Sequence, residues 1–332
     1  MLRSFTFVLL IVALFPLLTV PLEAQDAEIL LTPLESNPVL PRDETIDWEA
    51  GGLLSSVVHP LDGQWLMFYQ GLNVDQSVWA VGIATSDDGV TWTRYADNPV
   101  FVADPATAKY GINTMTVFND GAQWILLFTP QADSPRVDVL AATAPSPEGP
   151  WMMAADPALP RSGALDWDSG ARWLSPVLAT EDGYTLYFSS GSGGIGLMTS
   201  SDGLHWTRYD DPATATGRYA ASDPVFEKNA DFNAWDGASV AYPLVRRTAE
   251  GWEMFYSGED TNLRGRIGYA TSPDGVVWTR QSAEPLLTEE GSMWLVSTGL
   301  AEMEAGDILY YTGLPEMVPS RFLVEAAAIS NP

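Results

Sequence analysis

Three short stretches place an indole directly before a carboxylic acid. They are "IDWEAGG" with Trp48 and Glu49, "LDWDSGA" with Trp167 and Asp168, and "NAWDGAS" with Trp235 and Asp236. Each Trp stands 15 or 16 residues ahead of a turn glycine, namely Gly63, Gly183 and Gly251. Two carboxyl groups whose pKa values are held apart can serve as acid and base in catalysis. Indole faces stack on sugar C–H surfaces, while carboxylates and guanidinium groups bond sugar hydroxyls. Glu49, Asp168 and Asp236 are therefore the candidate catalytic acids. Trp48, Trp167 and Trp235 are the candidate sugar-binding faces. The same pattern also fits a packing and capping device, with each acid bonded to loop N–H groups.

The elements that would position these pairs are legible from internal repetition. "NPVL", "NPVF", "DPAL", "DPVF" and "EPLL" begin at residues 37, 98, 156, 223 and 284, about 60 residues apart. Each phrase is followed by a polar loop, a short apolar strand and a turn such as "LDG" or "AEG". An aromatic strand comes next: "QWLMFYQG", "QWILLFTP", "YTLYFSSG", "WEMFYSG" and "ILYYTG". A third strand of the type "VGIATS" or "VEAAAIS" follows a variable loop. Residues 86–94, 200–208 and 272–280 then read "SDDGVTWTR", "SSDGLHWTR" and "SPDGVVWTR". The second unit ends in the looser "SPEGPW", and the fifth lacks this ending altogether.

Each unit is thus an antiparallel meander of four strands. Five such units predict an all-β, five-bladed β-propeller. The segment "EILLTPL", residues 28–34, is expected to supply the fourth strand that the fifth unit lacks and so to close the ring. In the recurring turn, Asp bonds its own backbone and Gly takes a left-handed conformation. The Trp three residues beyond the Gly is spaced to pack between blades. That assigns the phrase to the outer part of the blade and to structure.

Bulk properties narrow the function classes. Residues 1–24 carry Arg3 and an apolar run from Phe5 to Val20, the pattern of a secretory signal peptide. Residues 25–332 then form one propeller domain, expected to be secreted, either extracellular or periplasmic. Forty-three acids against 16 bases give a formal net charge of -27, which repels nucleic acid and anionic membranes. No membrane contact is expected beyond the signal segment. With no cysteine and only His59 and His205, neither a disulfide framework nor a histidine metal cluster is expected. No cofactor is expected, although oxygen ligands leave a structural calcium open.

The five-blade pattern, the "S-x-D-G-x-x-W" turns and the "SPEGPW" variant resemble the five-bladed glycosidases. That superfamily holds the β-fructosidases, the arabinanases and xylosidases of the family 43 type, and the family 32 N-terminal-like proteins. The turns are also similar to the Asp-box of sialidase propellers, though here Asp and Gly are contiguous. The resemblance covers essentially the whole mature chain. It implies an axial site on the face where the innermost strands begin, with carboxylates drawn from the first three blades. The second unit departs from that pattern, since "KYGINTMTV" offers Tyr110 and Asn113 and no acid.

Further candidates follow from the loops that should meet at that face. Asn113, Arg172, Glu259, Arg264 and Arg321 are expected to bind substrate, beside Trp48, Trp167 and Trp235. Glu289, Glu290 and Trp294 mark the fifth unit, and Glu302 is expected at the opposite surface. No residue is assigned to a metal. The expected partner is an oligo- or polysaccharide. Two function classes remain open, namely a secreted glycoside hydrolase and a non-catalytic propeller that binds glycan or another partner at the same mouth.

Overall fold

Each of the five sequence units forms its own antiparallel sheet in the computed structural model. The structure describes residues 29–75, 77–170, 172–214, 216–281, 283–289, 292–314 and 323–330. The expected leader and Arg321 lie outside the described residues, as does the side chain of Arg172.

From the inside outward, blade one is Gly52–Leu61, Gln64–Leu72, Trp79–Ser86 and Thr93–Arg94. Blade two is Ile112–Asn119, Trp124–Pro130, Leu140–Ala144 and Met152–Met153. Blade three has a divided inner strand, Arg172–Leu174 and Leu178–Thr180, then Gly183–Ser190, Gly194–Ser200 and Thr207–Arg208. Blade four is Ser239–Arg247, Trp252–Glu259, Gly265–Ser272 and Thr279–Arg280. Blade five is Trp294–Ala301, Ile308–Leu314 and Leu323–Ser330, completed by Leu30–Pro33 from the N-terminal end.

The ring therefore closes as expected, with Leu30 opposite Ser330 and Pro33 opposite Ala327. Innermost strands touch in sequence around the circle, and blade one touches blade five. The innermost strands of blades one, two, four and five each carry a register shift partway along, at Leu54/Ser56, Ile112/Thr114, Ala241/Leu244 and Ser297/Gly299. A bulge of this kind bends a strand and re-aims the side chains beside it.

The core lies between blades. Leu66, Phe68, Val81 and Ile83 of blade one pack on Met115, Val117, Leu126 and Phe128 of blade two. The "DG" turns lock the same seams. Ser86 Oγ accepts the Gly89 N–H at 2.9 Å, Asp88 Oδ1 accepts those of Val90 and Thr91, and Trp92 Nε1 donates to the Gly89 carbonyl at 3.2 Å. Gly89 has φ 72°, a conformation that favours glycine. The hydroxyl of Tyr310, on blade five, donates to the same carbonyl at 2.6 Å. Tyr187 of blade three bonds the Gly275 carbonyl of blade four in the same way, at 2.7 Å. The turn is a seam between blades, as its sequence position implied.

The closing strand buries Ile29 and Leu31 against Leu244, Phe255 and Ile267 of blade four and Leu309 and Ile329 of blade five. A charge at Leu31, 8% exposed, would enter that cluster without a partner. Leu31→Asp is expected to lower stability by about 3 kcal/mol in urea denaturation. Unchanged stability would show that this strand does not carry the ring.

Candidate functional site

The three Trp–acid pairs form one repeated device. Trp48 lies over two glycines of its own blade. A Cβ added at Gly71 would fall 2.3 Å from the ring, and one at Gly82 2.5 Å from it. Trp235 lies over Gly258 and Gly268 in the same way, and Trp167 over Gly196. The indoles stack on the second strand, with Trp167–Phe188 at 5.8 Å and Trp235–Tyr256 at 5.7 Å between centroids.

The following acid turns inward. Glu49 Oε1 meets Arg94 Nη2 at 2.6 Å, and its Oε2 accepts the Tyr69 hydroxyl at 2.8 Å. Asp168 Oδ2 accepts Arg208 Nε at 2.8 Å. Asp236 Oδ2 accepts Arg280 Nε at 2.6 Å and the Tyr256 hydroxyl at 3.0 Å. All three acids are fully buried. Burial, and then the neighbouring carboxylate, push the Tyr69 and Tyr256 hydroxyls well above the ordinary tyrosine range.

Each arginine is the last residue of a "WTR" phrase. Each also donates to the carbonyl that follows the "NPVL"-type phrase, at Pro41, Pro160 and Glu227. Blade two lacks the acid, and its outer strand is Met152–Met153 where blades one, three and four have Thr-Arg. Both halves of the ion pair are absent together.

The expected catalytic acids are thus held inside three separate blades as counter-ions. A carboxylate with no exposed surface, tied to a guanidinium of its own blade, presents no oxygen to a glycosidic bond. Trp48, Trp167 and Trp235 are likewise packed over glycine backbone, so the packing device describes these pairs.

The mouth at the start of the innermost strands is built from other residues. Trp173 of blade three and Tyr242 of blade four lie 5.1 Å apart between ring centroids, and Tyr242 and Trp294 of blade five lie 6.2 Å apart and edge-on. Tyr242 sits in the bulge with φ 51°, an unfavourable conformation for an aromatic residue. Its neighbours hold it there. Ser189 Oγ of blade three accepts the Tyr242 N–H at 3.1 Å, and Ser297 Oγ of blade five donates to its carbonyl at 2.8 Å. Burial, and then the charge of Glu259, raise the Tyr242 hydroxyl pKa.

Two expected binding residues lie on blades four and two. Glu259 accepts Ser239 Oγ at 2.7 Å, and Asn113 sits in the blade-two bulge with its Nδ2 3.3 Å from Thr129 Oγ1. Arg264 is exposed and lines a cavity of about 520 Å³ with Arg266, Thr288, Glu289, Ser292 and Met293. Glu302 is exposed at the other end, 3.9 Å from Arg246. No group of three His, Asp or Glu able to hold a metal occurs among the described residues.

Reading the acids alone missed the aromatic cluster. Trp173 and Trp294 were visible as aromatic residues opening an innermost strand. Tyr242 was not, because nothing in "VAYP" announces a positive φ.

No family model matches the chain, and no curated protein matches it. Solved structures do share its fold. One carries the description that the GH130 family of mannoside phosphorylases contains glycoside hydrolases that target beta-1,2 mannosidic linkages in Candida mannan. It superposes with TM-score 0.69 and 17% identity over 91% of this chain and 94% of that one. A glycosyl hydrolase from Bacteroides ovatus gives TM-score 0.67 and 17% identity over 91% and 94%. A beta-1,2-mannobiose phosphorylase from Listeria innocua, in complex with its disaccharide, gives 0.63 and 14% over 92% and 97%. The likeness is one of fold.

Two outcomes test the site's electrostatics. Asp236→Asn removes the counter-charge of Arg280 and is expected to cost about 2 kcal/mol in chemical denaturation. Joining it to Arg280→Met, which copies blade two, is expected to recover part of that loss in a double-mutant cycle. A purely additive cycle would show the pair to be uncoupled.

Glu325 faces Glu289 in blade five. Burial, and then the Glu289 charge, raise its pKa from 4.5 to about 7, against a backbone hydrogen bond at Gly313 that lowers it. Between those values the folded protein holds a proton that the unfolded chain has released, so this group's stability contribution falls as pH rises toward 7. The melting temperature of Glu325→Gln relative to wild type is expected to increase from pH 5 to pH 7.5. A difference that stays flat across that range would contradict the assignment.

Proposed function

We propose that this protein is an exported, carbohydrate-binding propeller whose ligand lies against the axial mouth. One observation carries the reading, the Trp173–Tyr242–Trp294 cluster contributed by three blades beside Glu259. Aromatic faces beside a carboxylate suit the C–H surfaces and hydroxyls of a sugar. Propellers of this fold described as acting on glycans support the ligand class. The acidic surface and the leader sequence support export.

Binding is favoured over hydrolysis because the acids that the resemblance would employ are internal counter-ions. Blade two supplies no acid either.

The reading is tested by calorimetric titration with fungal, plant and bacterial polysaccharides, including Candida mannan. At least one glycan is expected to bind. Trp173→Ala is expected to weaken that binding about tenfold, roughly 1.4 kcal/mol, without lowering the melting temperature. Binding that ignores Trp173, or an absence of binding across the series, would reject the mouth as a glycan site.

A further inference from the structure

Blade five keeps the acid of the Trp–acid–Arg device but lacks its Trp, its Arg and the third-strand glycine beneath the Trp. On the third strand, Gly82, Gly196 and Gly268 lie opposite Tyr69, Phe188 and Tyr256, and the Trp plugs sit over them. In blade five the residue opposite Tyr311 is Glu325. No Trp covers Gly313. A Cβ added there would instead meet Glu325 Oε2 at 2.7 Å, Glu289 Oε2 at 3.2 Å and Ser292 Oγ at 3.3 Å.

The outer strand of this blade is Leu30–Pro33, "LLTP", which carries no arginine. Glu289, placed like Glu49 and Asp236, is therefore held by the Tyr311 hydroxyl at 2.7 Å and Ser292 Oγ at 3.0 Å. No guanidinium pairs with it among the described residues.

The loop that carries the plugging Trp elsewhere here lines the cavity of about 520 Å³ between blades four and five. Its wall is mixed in chemistry. Glu289 accepts hydrogen bonds, Arg264 donates them, and Thr288 and Ser292 do both. Arg266 is engaged with Asp260 at 3.2 Å, whereas the Arg264 guanidinium has no acid partner among the described residues. The cavity also borders the aromatic cluster. Gly265, in its wall, lies so close to Trp294 that a Cβ there would overlap the indole. The buried Nε1 of Trp294, on that edge, has no hydrogen-bond partner among the described residues.

We propose that the cavity between blades four and five is a second sugar subsite, in which Glu289 and Arg264 hold neighbouring hydroxyls of a neutral sugar unit linked to the unit at the aromatic mouth. A carboxylate beside a guanidinium matches a vicinal diol, since one accepts from an O–H and the other donates to an oxygen. The volume falls in the range of small-ligand pockets. The ligand is then an oligosaccharide of at least two units. This inference rests on the mouth being a glycan site, as proposed above.

The test is calorimetric titration of the full chain with acid-hydrolysed Candida mannan and with oligosaccharides from each polysaccharide that binds. Each is compared with its own monosaccharide. Arg264→Ala, an exposed position, and Glu289→Gln, a conservative change, are measured beside Trp173→Ala. The expected result is that oligosaccharides bind at least tenfold more tightly than the monosaccharide. Arg264→Ala and Glu289→Gln are each expected to remove most of that advantage and leave monosaccharide binding unchanged. If Trp173→Ala abolishes binding while Arg264→Ala and Glu289→Gln leave the oligosaccharide advantage intact, the second subsite is overturned and the mouth stands. If no oligosaccharide binds, or Trp173→Ala has no effect, the mouth reading falls and this inference with it.

Discussion

A guanidinium delivered by the outermost strand to a buried carboxylate organises blades one, three and four. Burying either charge alone is costly, and a buried pair is tolerated when the geometry is close and further hydrogen bonds complete it. Here the carboxylate lies 2.6 to 2.8 Å from the arginine, and the same arginine bonds a carbonyl after the "NPVL"-type phrase. Three scattered sequence features thereby become one unit. The turn fixes where the outer strand begins, that strand ends in Arg, and the Arg reaches the loop before the innermost strand. Blade two shows the coupling by omission. Lacking the acid, it also lacks the arginine, and methionines stand at its outer edge. Either partner kept alone would leave an unmatched charge in the blade.

Ring closure has a chemical consequence that follows from this constraint. The strand completing blade five comes from the opposite end of the sequence and brings hydrophobic residues instead of "WTR". It packs apolar side chains between blades five and four, but it brings no charge to neutralise an acid in the loop. Glu289 is consequently held by two hydroxyls, and Glu325 takes the place of the glycine beneath a Trp. Burial, and then repulsion from Glu289, raise the pKa of the second carboxyl to about 7. The seam that closes the molecule thus holds two neighbouring acids with no guanidinium partner among the described residues.

The fold was legible because it is written five times. A turn needing Asp and Gly, an aromatic strand and a third strand of small residues fixed the blades, and the missing strand pointed to residues 28–34. The site was less legible for a related reason. The Trp–acid pairs stood out because they repeat, and repetition around a propeller marks what every blade needs. Residues of one axial mouth come from single positions in different blades and have no period. Asn113 and Glu259 were candidates from their loop positions, whereas Tyr242 depends on a bulge that no residue type announces. Glu325 was readable in principle, since "VEAAAIS" sets Glu where "VGIATS" has Gly. Its meaning emerges only once a Trp is seen to lie over that glycine in the other blades.

Tyr242 joins the two themes. An aromatic residue at φ 51° stores backbone strain of order 1–3 kcal/mol, and such strain persists only where the surroundings over-determine it. Blade three supplies the acceptor for its N–H and blade five the donor to its carbonyl, so the strained residue exists only in the assembled ring. Its ring then sits between Trp173 and Trp294, one from each of those blades. The aromatic mouth is therefore a product of closure. It depends on blade five being complete, hence on Leu30–Pro33, although that strand is the outermost of its blade and contributes no side chain to the mouth.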